Sequence, residues 1–124
     1  MAWEVILLEE VCDWYENLVS NAPATAELVT AAIDLLATHG PLLGRPLVDT
    51  LEGSTLPNLK ELRPGSQGRS EIRILFAFDP RRQAVLLVAG DKAGKWSEWY
   101  AENMPVAERR FQRWLGGEYD EERK

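Results

Sequence analysis

The chain has 124 residues, 45% of them hydrophobic and 27% charged, with a net charge of −6. That suits one domain around one core, with no need of a disulfide or metal staple. A single cysteine, Cys12, and a single histidine, His39, exclude an internal disulfide and a cysteine-based zinc site, and argue against histidine metal chemistry and a Ser–His–Asp hydrolase. No apolar run nears the ~20 residues of a membrane helix, and the first ten residues are too short and too acidic for a secretory signal. A reducing, cytoplasmic setting with no membrane partner is the expectation.

Charge is unevenly spread. Residues 1–56 carry a balance of −8, with Arg45 as their one cation; residues 57–95 carry +4; residues 96–124 carry −2. An acidic chain does not coat nucleic acid unspecifically, but a local basic patch can still receive an anion.

In chain order, Trp3–Leu8 reads as a strand. Val11, Trp14, Tyr15, Leu18 and Val19 then form one stripe of an amphipathic helix. Ser20-Asn21-Ala22-Pro23 interrupts the pattern, and a second helix follows with Thr25 as its expected cap. Its expected inner side is Leu28, Ala32, Leu35, Leu36 and His39, and Gly40-Pro41 stops it. The two helices should form an antiparallel hairpin. Residues 40–57 read as a Gly- and Pro-rich loop.

The period then becomes two. Asn58–Arg63 and Glu71–Phe78 read as strands, and Gln83–Ala89, apolar on both faces, as a central strand. After the loop Gly90–Gly94 the chain turns helical at Trp96, Trp99 and Tyr100. Asn103, two residues before Pro105, is the expected cap of a last helix with Ala107, Phe111, Trp114 and Leu115 inward. The order β-α-α-β-β-β-α predicts an α+β fold with a mainly antiparallel twisted sheet. Residues 1–117 form its single domain, and 118–124 a polar, mobile tail.

Strand parity supplies the candidate site. Glu61 and Arg63 share one side of their strand, and Glu71, Arg73, Leu75 and Ala77 one side of the next. If the two strands pair, the acids and guanidiniums share a sheet face. Two arginines there make a multidentate phosphate clamp, and Lys92 sits in a loop that can bring it alongside. The alternative is a set of ordinary cross-strand pairs, Glu61 with Arg73 or Glu71 with Arg63, on a solvated face. Gly90-Asp91-Lys92-Ala93-Gly94-Lys95 lacks the GxxxxGK[ST] spacing of a nucleotide P-loop. Trp96, Trp99 and Tyr100 are either base-stacking or core residues, and the Tyr100 hydroxyl is a candidate acid or positioning donor. His39 reads as a helix C-terminal residue.

These residues also carry a family resemblance. The strings Asn58-Leu59-Lys60-Glu61-Leu62-Arg63, Ile72-Arg73-Ile74-Leu75-Phe76 and Gly90-Asp91-Lys92-Ala93-Gly94-Lys95-Trp96, with Trp99-Tyr100 and Pro105, together resemble one branch of the RelE/ParE superfamily of type II toxin–antitoxin toxins. It is the phage-derived Gp49-like, HigB-type branch. The likeness in element order covers roughly residues 3–115. It implies a RelE-like fold and a toxin that cleaves mRNA on the translating ribosome, held inactive by a helix-turn-helix, HigA-like antitoxin. It also implies a mechanism with no metal or cofactor, in which an RNA 2′-hydroxyl attacks the adjacent phosphate. By position Arg63, Arg73 and Lys92 correspond to the catalytic basic residues. Glu61, Glu71 and Tyr100 are the candidates for proton transfer, and Lys60, Arg69, Lys95 and Trp96 for RNA binding. The antitoxin is expected to cover the basic patch with an acidic or extended segment and to lay a helix on the Trp14/Trp99 region. Two further readings stay open: a non-cleaving, ParE-like gyrase inhibitor, and an inactive antitoxin-binding module.

Overall fold

Alternation of apolar and polar residues builds the centre of the molecule. A computed structural model describes residues 3–65 and 68–119. Its strands are β1 (Glu4–Leu7), β2 (Val48–Thr50), β3 (Lys60–Leu62), β4 (Ile72–Phe78) and β5 (Gln83–Asp91), and its helices α1 (Glu9–Asn21), α2 (Pro23–His39) and α3 (Trp96–Leu115). The strands form one sheet in the order β1-β5-β4-β3-β2. β5 pairs antiparallel with β4, β4 with β3 and β3 with β2, while β1 runs parallel to β5.

Helices cover both faces, giving three layers. Ile72, Ile74 and Phe76 of β4 face the α1–α2 hairpin, in a core with Val11, Val29, Ala32 and Leu36. Leu75 and Ala77 face α3 with Trp99, Ala107, Phe111 and Trp114. The expected parity therefore holds on both sides of β4, and Phe76 is wholly buried. A side chain of that size contributes about 1.5–3 kcal/mol by leaving water. β5, buried on both faces through Val88, is the central strand its composition predicts.

The β4–β5 turn has a clear local cause. Asp79 accepts the backbone N–H groups of Arg81 and Gln83 on Oδ1, each at 2.9 Å. Pro80 fixes φ after it, and Arg82 takes a left-handed φ of 65° to close the hairpin. Gly40, at φ 55°, ends α2 beneath Trp3, where a Cβ would lie 2.4 Å from the indole. Only glycine serves there.

Several expectations need correction. β2 lies inside the stretch expected to be loop: a three-residue strand is too short to show a period. Pro23 occupies the first turn of α2, and no side chain caps that helix. Thr25 is buried within it instead of capping it. Leu35 and Leu115 are 40% and 48% exposed, and His39 also faces outward, so the inward stripes are narrower than expected. α3 runs unbroken through Pro105. Asn103 is not a cap; its Nδ2 donates to the Trp99 carbonyl at 2.8 Å. A continuous apolar face from Trp99 to Trp114 packs on the sheet, which outweighs the proline's missing donor. Finally Tyr119, expected in a polar tail, is 2% exposed, and its ring lies 6.5 Å from that of Trp114. Residues 120–124 fall outside the described residues.

Candidate active site

The site forms where the first turns of α3 cross the β2–β3–β4 end of the sheet. Register explains the gathering. Glu61 of β3 lies opposite Asp49 of β2 on one side and Leu75 of β4 on the other. Arg73 lies two residues from Leu75 on the same face, opposite Gly90 of β5. Gly90 is needed here, because a Cβ would meet Trp99 Nε1 at 2.9 Å. The indole thus rests on bare backbone, and the next residue, Tyr100, reaches down to β3. The loop before β3 is clipped to the same helix: Glu108 accepts the Ser54 hydroxyl at 2.7 Å and the Thr55 N–H at 2.8 Å.

Glu61 is the hub. It is 1% exposed, and a carboxylate so deep must be paired and hydrogen-bonded. Arg63 donates to its Oε2 from Nε at 3.0 Å and from Nη2 at 2.9 Å. Arg73 Nε stands 3.5 Å from Oε1 without completing a hydrogen bond. The Tyr100 hydroxyl donates to Oε1. Arg63 also reaches Asp49 at 3.3 Å, and Asp49 in turn pairs with Arg45 at 3.2 Å. Arg73 Nη1 donates to the Ile72 carbonyl at 2.8 Å. The Arg73 guanidinium also meets the Tyr100 hydroxyl.

Lys92 completes the group. Its side chain is 5% exposed, with Nζ 3.9 Å from the Trp96 ring centroid and 5.1 Å from that of Tyr100. Cation–π attraction compensates part of its lost hydration. Among the described residues no carboxylate lies within ion-pair distance of it.

Protonation follows from this packing. Burial, and then the Arg73 charge, push the Lys92 ammonium below its ordinary range, against the pull of Glu61 and Glu71. Burial and the bond to Glu61 push the Tyr100 hydroxyl up to about 12, so it stays protonated. For Arg63, burial works against the charge, but the Glu61 and Asp49 carboxylates outweigh it and raise the guanidinium further. The hydrogen bond from Arg45 is the main reason Asp49 is held below the usual carboxylate range.

Of the candidates drawn from sequence, Arg63, Arg73, Lys92, Glu61 and Tyr100 come together, with the half-exposed Trp96 ring beside them. Glu71 contributes backbone at the edge, its carbonyl accepting the Lys92 N–H at 3.0 Å. Among the described residues its carboxylate joins no ion pair, so the anticipated Glu71–Arg63 pair is absent. The Glu61–Arg73 pair exists, but it is buried, not solvated. Lys60 points to the opposite face, where its Nζ donates to Thr50 Oγ1 at 3.0 Å. Arg69 and Lys95 are exposed and stand outside the cluster. Trp14 and Trp99 lie against opposite faces of the sheet, so no single helix covers both. The members missed in the sequence are Asp49 and Arg45, because the three-residue strand that carries Asp49 is too short to mark a face.

The model of the phage-derived Gp49-like proteins (DUF891) matches residues 16–112. The chain belongs to that family. It is 53% identical over 115 residues to a Mycobacterium tuberculosis protein named as a toxin, HigB3, covering 93% of this chain and 96% of that one. It is 56% identical over 104 residues to HigB2 of the same organism, also named as a toxin, covering 84% of this chain. The chain spans about half the length of HigB2, 50%. In fold it is similar to the free state of an Escherichia coli RelE toxin carrying two arginine-to-alanine substitutions. That likeness has a TM-score of 0.58 at 16% identity, over 82% of this chain and 94% of the other. The Gp49-like family member described here is thus a HigB-type chain with the RelE fold.

Proposed function

We propose that this HigB-type chain is the toxin of a type II toxin–antitoxin pair and an endoribonuclease that cleaves mRNA on the ribosome, and therefore works in the cytoplasm. The observation that carries the reading is the convergence of Arg63, Arg73 and Lys92 at one end of a sheet face, the two guanidiniums on the Glu61 carboxylate and the ammonium over the Trp96 and Tyr100 rings.

In the proposed step the RNA 2′-oxygen forms a bond to the adjacent phosphorus and the bond from phosphorus to the 5′-oxygen breaks. A 2′,3′-cyclic phosphate and a 5′-hydroxyl result. Charge builds on the non-bridging oxygens in the transition state, and preorganised donors aimed there accelerate the step. The guanidiniums of Arg63 and Arg73, which together carry more N–H groups than Glu61 accepts, supply those donors. Glu61 fixes both guanidiniums, so its oxygens are committed and it is a positioning residue rather than a base. Tyr100 holds its proton and serves as a donor that fixes Glu61. Lys92, with its lowered affinity for a proton, passes one to the departing 5′-oxygen. Glu71 remains to accept the 2′-hydroxyl proton: its charge acts on Lys92, which puts it at the same edge. Its carboxylate joins none of the ion pairs among the described residues. Proton exchange with solvent resets both groups.

A reconstituted translation reaction tests the reading by mapping transcript 5′ ends. The wild-type chain is expected to create new ends within codons and Arg73→Ala none. Intact messages with a DNA-damage response in cells would instead support the gyrase-inhibiting reading, and a harmless wild-type chain the inactive module. As partner we expect an antitoxin of the helix-turn-helix, HigA-like kind. An acidic or extended segment of it would neutralise Arg63, Arg73 and Lys92.

A further inference from the structure

We propose that the pocket at the β2 edge of the sheet is a second nucleotide subsite, which holds the RNA residue next to the cleaved bond. The proposal rests on the ribonuclease reading above and extends the same site by one nucleotide.

The pocket has a volume of about 270 Å³, and Leu42, Arg45, Asp49, Thr50 and Lys60 contribute to its lining. Asp49 belongs both to this pocket and to the arginine cluster, so the two are continuous around a strand only three residues long. Arg45 and Arg63 approach the same oxygen of Asp49, Oδ2, at 3.2 and 3.3 Å. Their guanidiniums therefore lie within two hydrogen-bond lengths of each other, a spacing that lets one strand pass a phosphate from the first to the second.

The charge has the right sign. Asp49 is the one acid of the pocket lining, and the lining cations Arg45 and Lys60 outnumber it. The Lys60 ammonium has only a neutral partner, the Thr50 hydroxyl, and among the described residues it joins no ion pair. Arg45 is the single cation of residues 1–56, and its side chain is 78% exposed. In that acidic part of the chain, the one positive group stands at the margin of the site. Leu42, in the pocket lining, is 90% exposed, the highest among the described large hydrophobic residues. Exposed cations beside an exposed apolar side chain match the chemistry of a nucleotide, with phosphate on Arg45 and Lys60 and base against Leu42.

The test is binding of a fluorescein-labelled hexanucleotide with a 2′-deoxy residue at the scissile position, followed by anisotropy over a salt titration. Each phosphate contact in a single strand contributes about 0.7 to the slope of log affinity against log salt. The Arg45→Ala/Lys60→Ala double variant is expected to bind several-fold more weakly and to lose about 1.4 from that slope. Arg45→Lys/Lys60→Arg, which keeps both charges, restores it. Leu42→Ser weakens binding a few-fold with no change of slope. An oligonucleotide shortened by one residue on the side that enters the pocket is bound equally by the wild type and the double variant. If the double variant matches the wild type in affinity and slope while Arg73→Ala binds more weakly, the subsite is wrong and the ribonuclease reading stands. If Arg73→Ala also matches the wild type, in binding and in message cleavage, both fall.

Discussion

Two buried carboxylates lie under α3 on the same face of the sheet, one near each end of the helix, and opposite kinds of donor satisfy them. Asp79 takes two backbone N–H groups at its turn and the Trp114 indole N–H at 2.9 Å, all neutral. Glu61 takes two guanidiniums and a phenol. Neutral donors consume a carboxylate's capacity and bring no charge of their own, so Asp79 fastens a turn to a helix. Guanidiniums bring more charge and more N–H groups than one carboxylate can use. A buried acid outnumbered by partly buried arginines is therefore a scaffold for binding an anion, whereas one held by backbone is a structural clip.

That contrast can be broken most severely at Arg73. Arg73→Ala should lower message cleavage by ~10²–10³-fold, the usual cost of removing one transition-state donor, while thermal unfolding still shows one cooperative transition. Glu61→Gln comes next. It leaves the Arg73 guanidinium without a counter-charge and Arg63 with Asp49 alone, and should cost about 1–3 kcal/mol of stability, below the fully buried case because Arg63 keeps contact with water and Asp49. Cleavage should fall with it, through kcat more than KM. Asp79→Asn turns an amide N–H toward the Trp114 N–H and should cost a similar or slightly smaller amount, about 1–2 kcal/mol. Here urea unfolding registers the loss and the cleavage rate per folded molecule does not change. A fall in that rate would end the distinction between clip and scaffold.

Alkaline titration gives the smallest effects. The Tyr100 hydroxyl is raised from 10 to about 12 in the fold. The folded chain therefore keeps a proton that the unfolded chain gives up, and stability falls as pH climbs from 10 towards 12. Lys92 moves the other way. Its ammonium is lowered from 10.5, so between its folded value and 10.5 the unfolded chain binds more protons and stability rises with pH. Tyr100→Phe should remove the fall and Lys92→Met the rise, each read as a difference from wild type in urea midpoint. Tyr119 is also raised, by burial and then by Glu10, and it remains common to both sides of each comparison.

Much of this site was legible before any coordinates. Glu61 and Arg63, and separately Arg73, fall on definite strand faces because a period of two is unambiguous once apolar residues mark the other face. Lys92 follows directly after β5, so its neighbourhood was set by the same reasoning. What the sequence could not show depends on contacts between distant segments. The Tyr100–Glu61 hydrogen bond joins residues 39 apart, and nothing local announces it. β2 hid in a run of glycines and prolines, and Asp49 and Arg45 were hidden with it. Pro105 argued locally for a break in α3, and only the packing of Trp99 and Trp114 on one sheet overrules that argument. Tyr119 looked like part of a charged tail because one partner of its hydroxyl, Glu10, lies 109 residues away in the chain.

Gly90 has a further consequence for how this protein can change. The start of α3 sits as low as it does only because that position of β5 carries a hydrogen where other residues carry carbon. A methyl there would lift the indole of Trp99, and the helix would tilt up like a hinge opened at one end. Tyr100 would then withdraw from its carboxylate and Trp96 from its ammonium in the same movement. A substitution that touches neither charge nor substrate would disarm the protein by raising the roof over its chemistry.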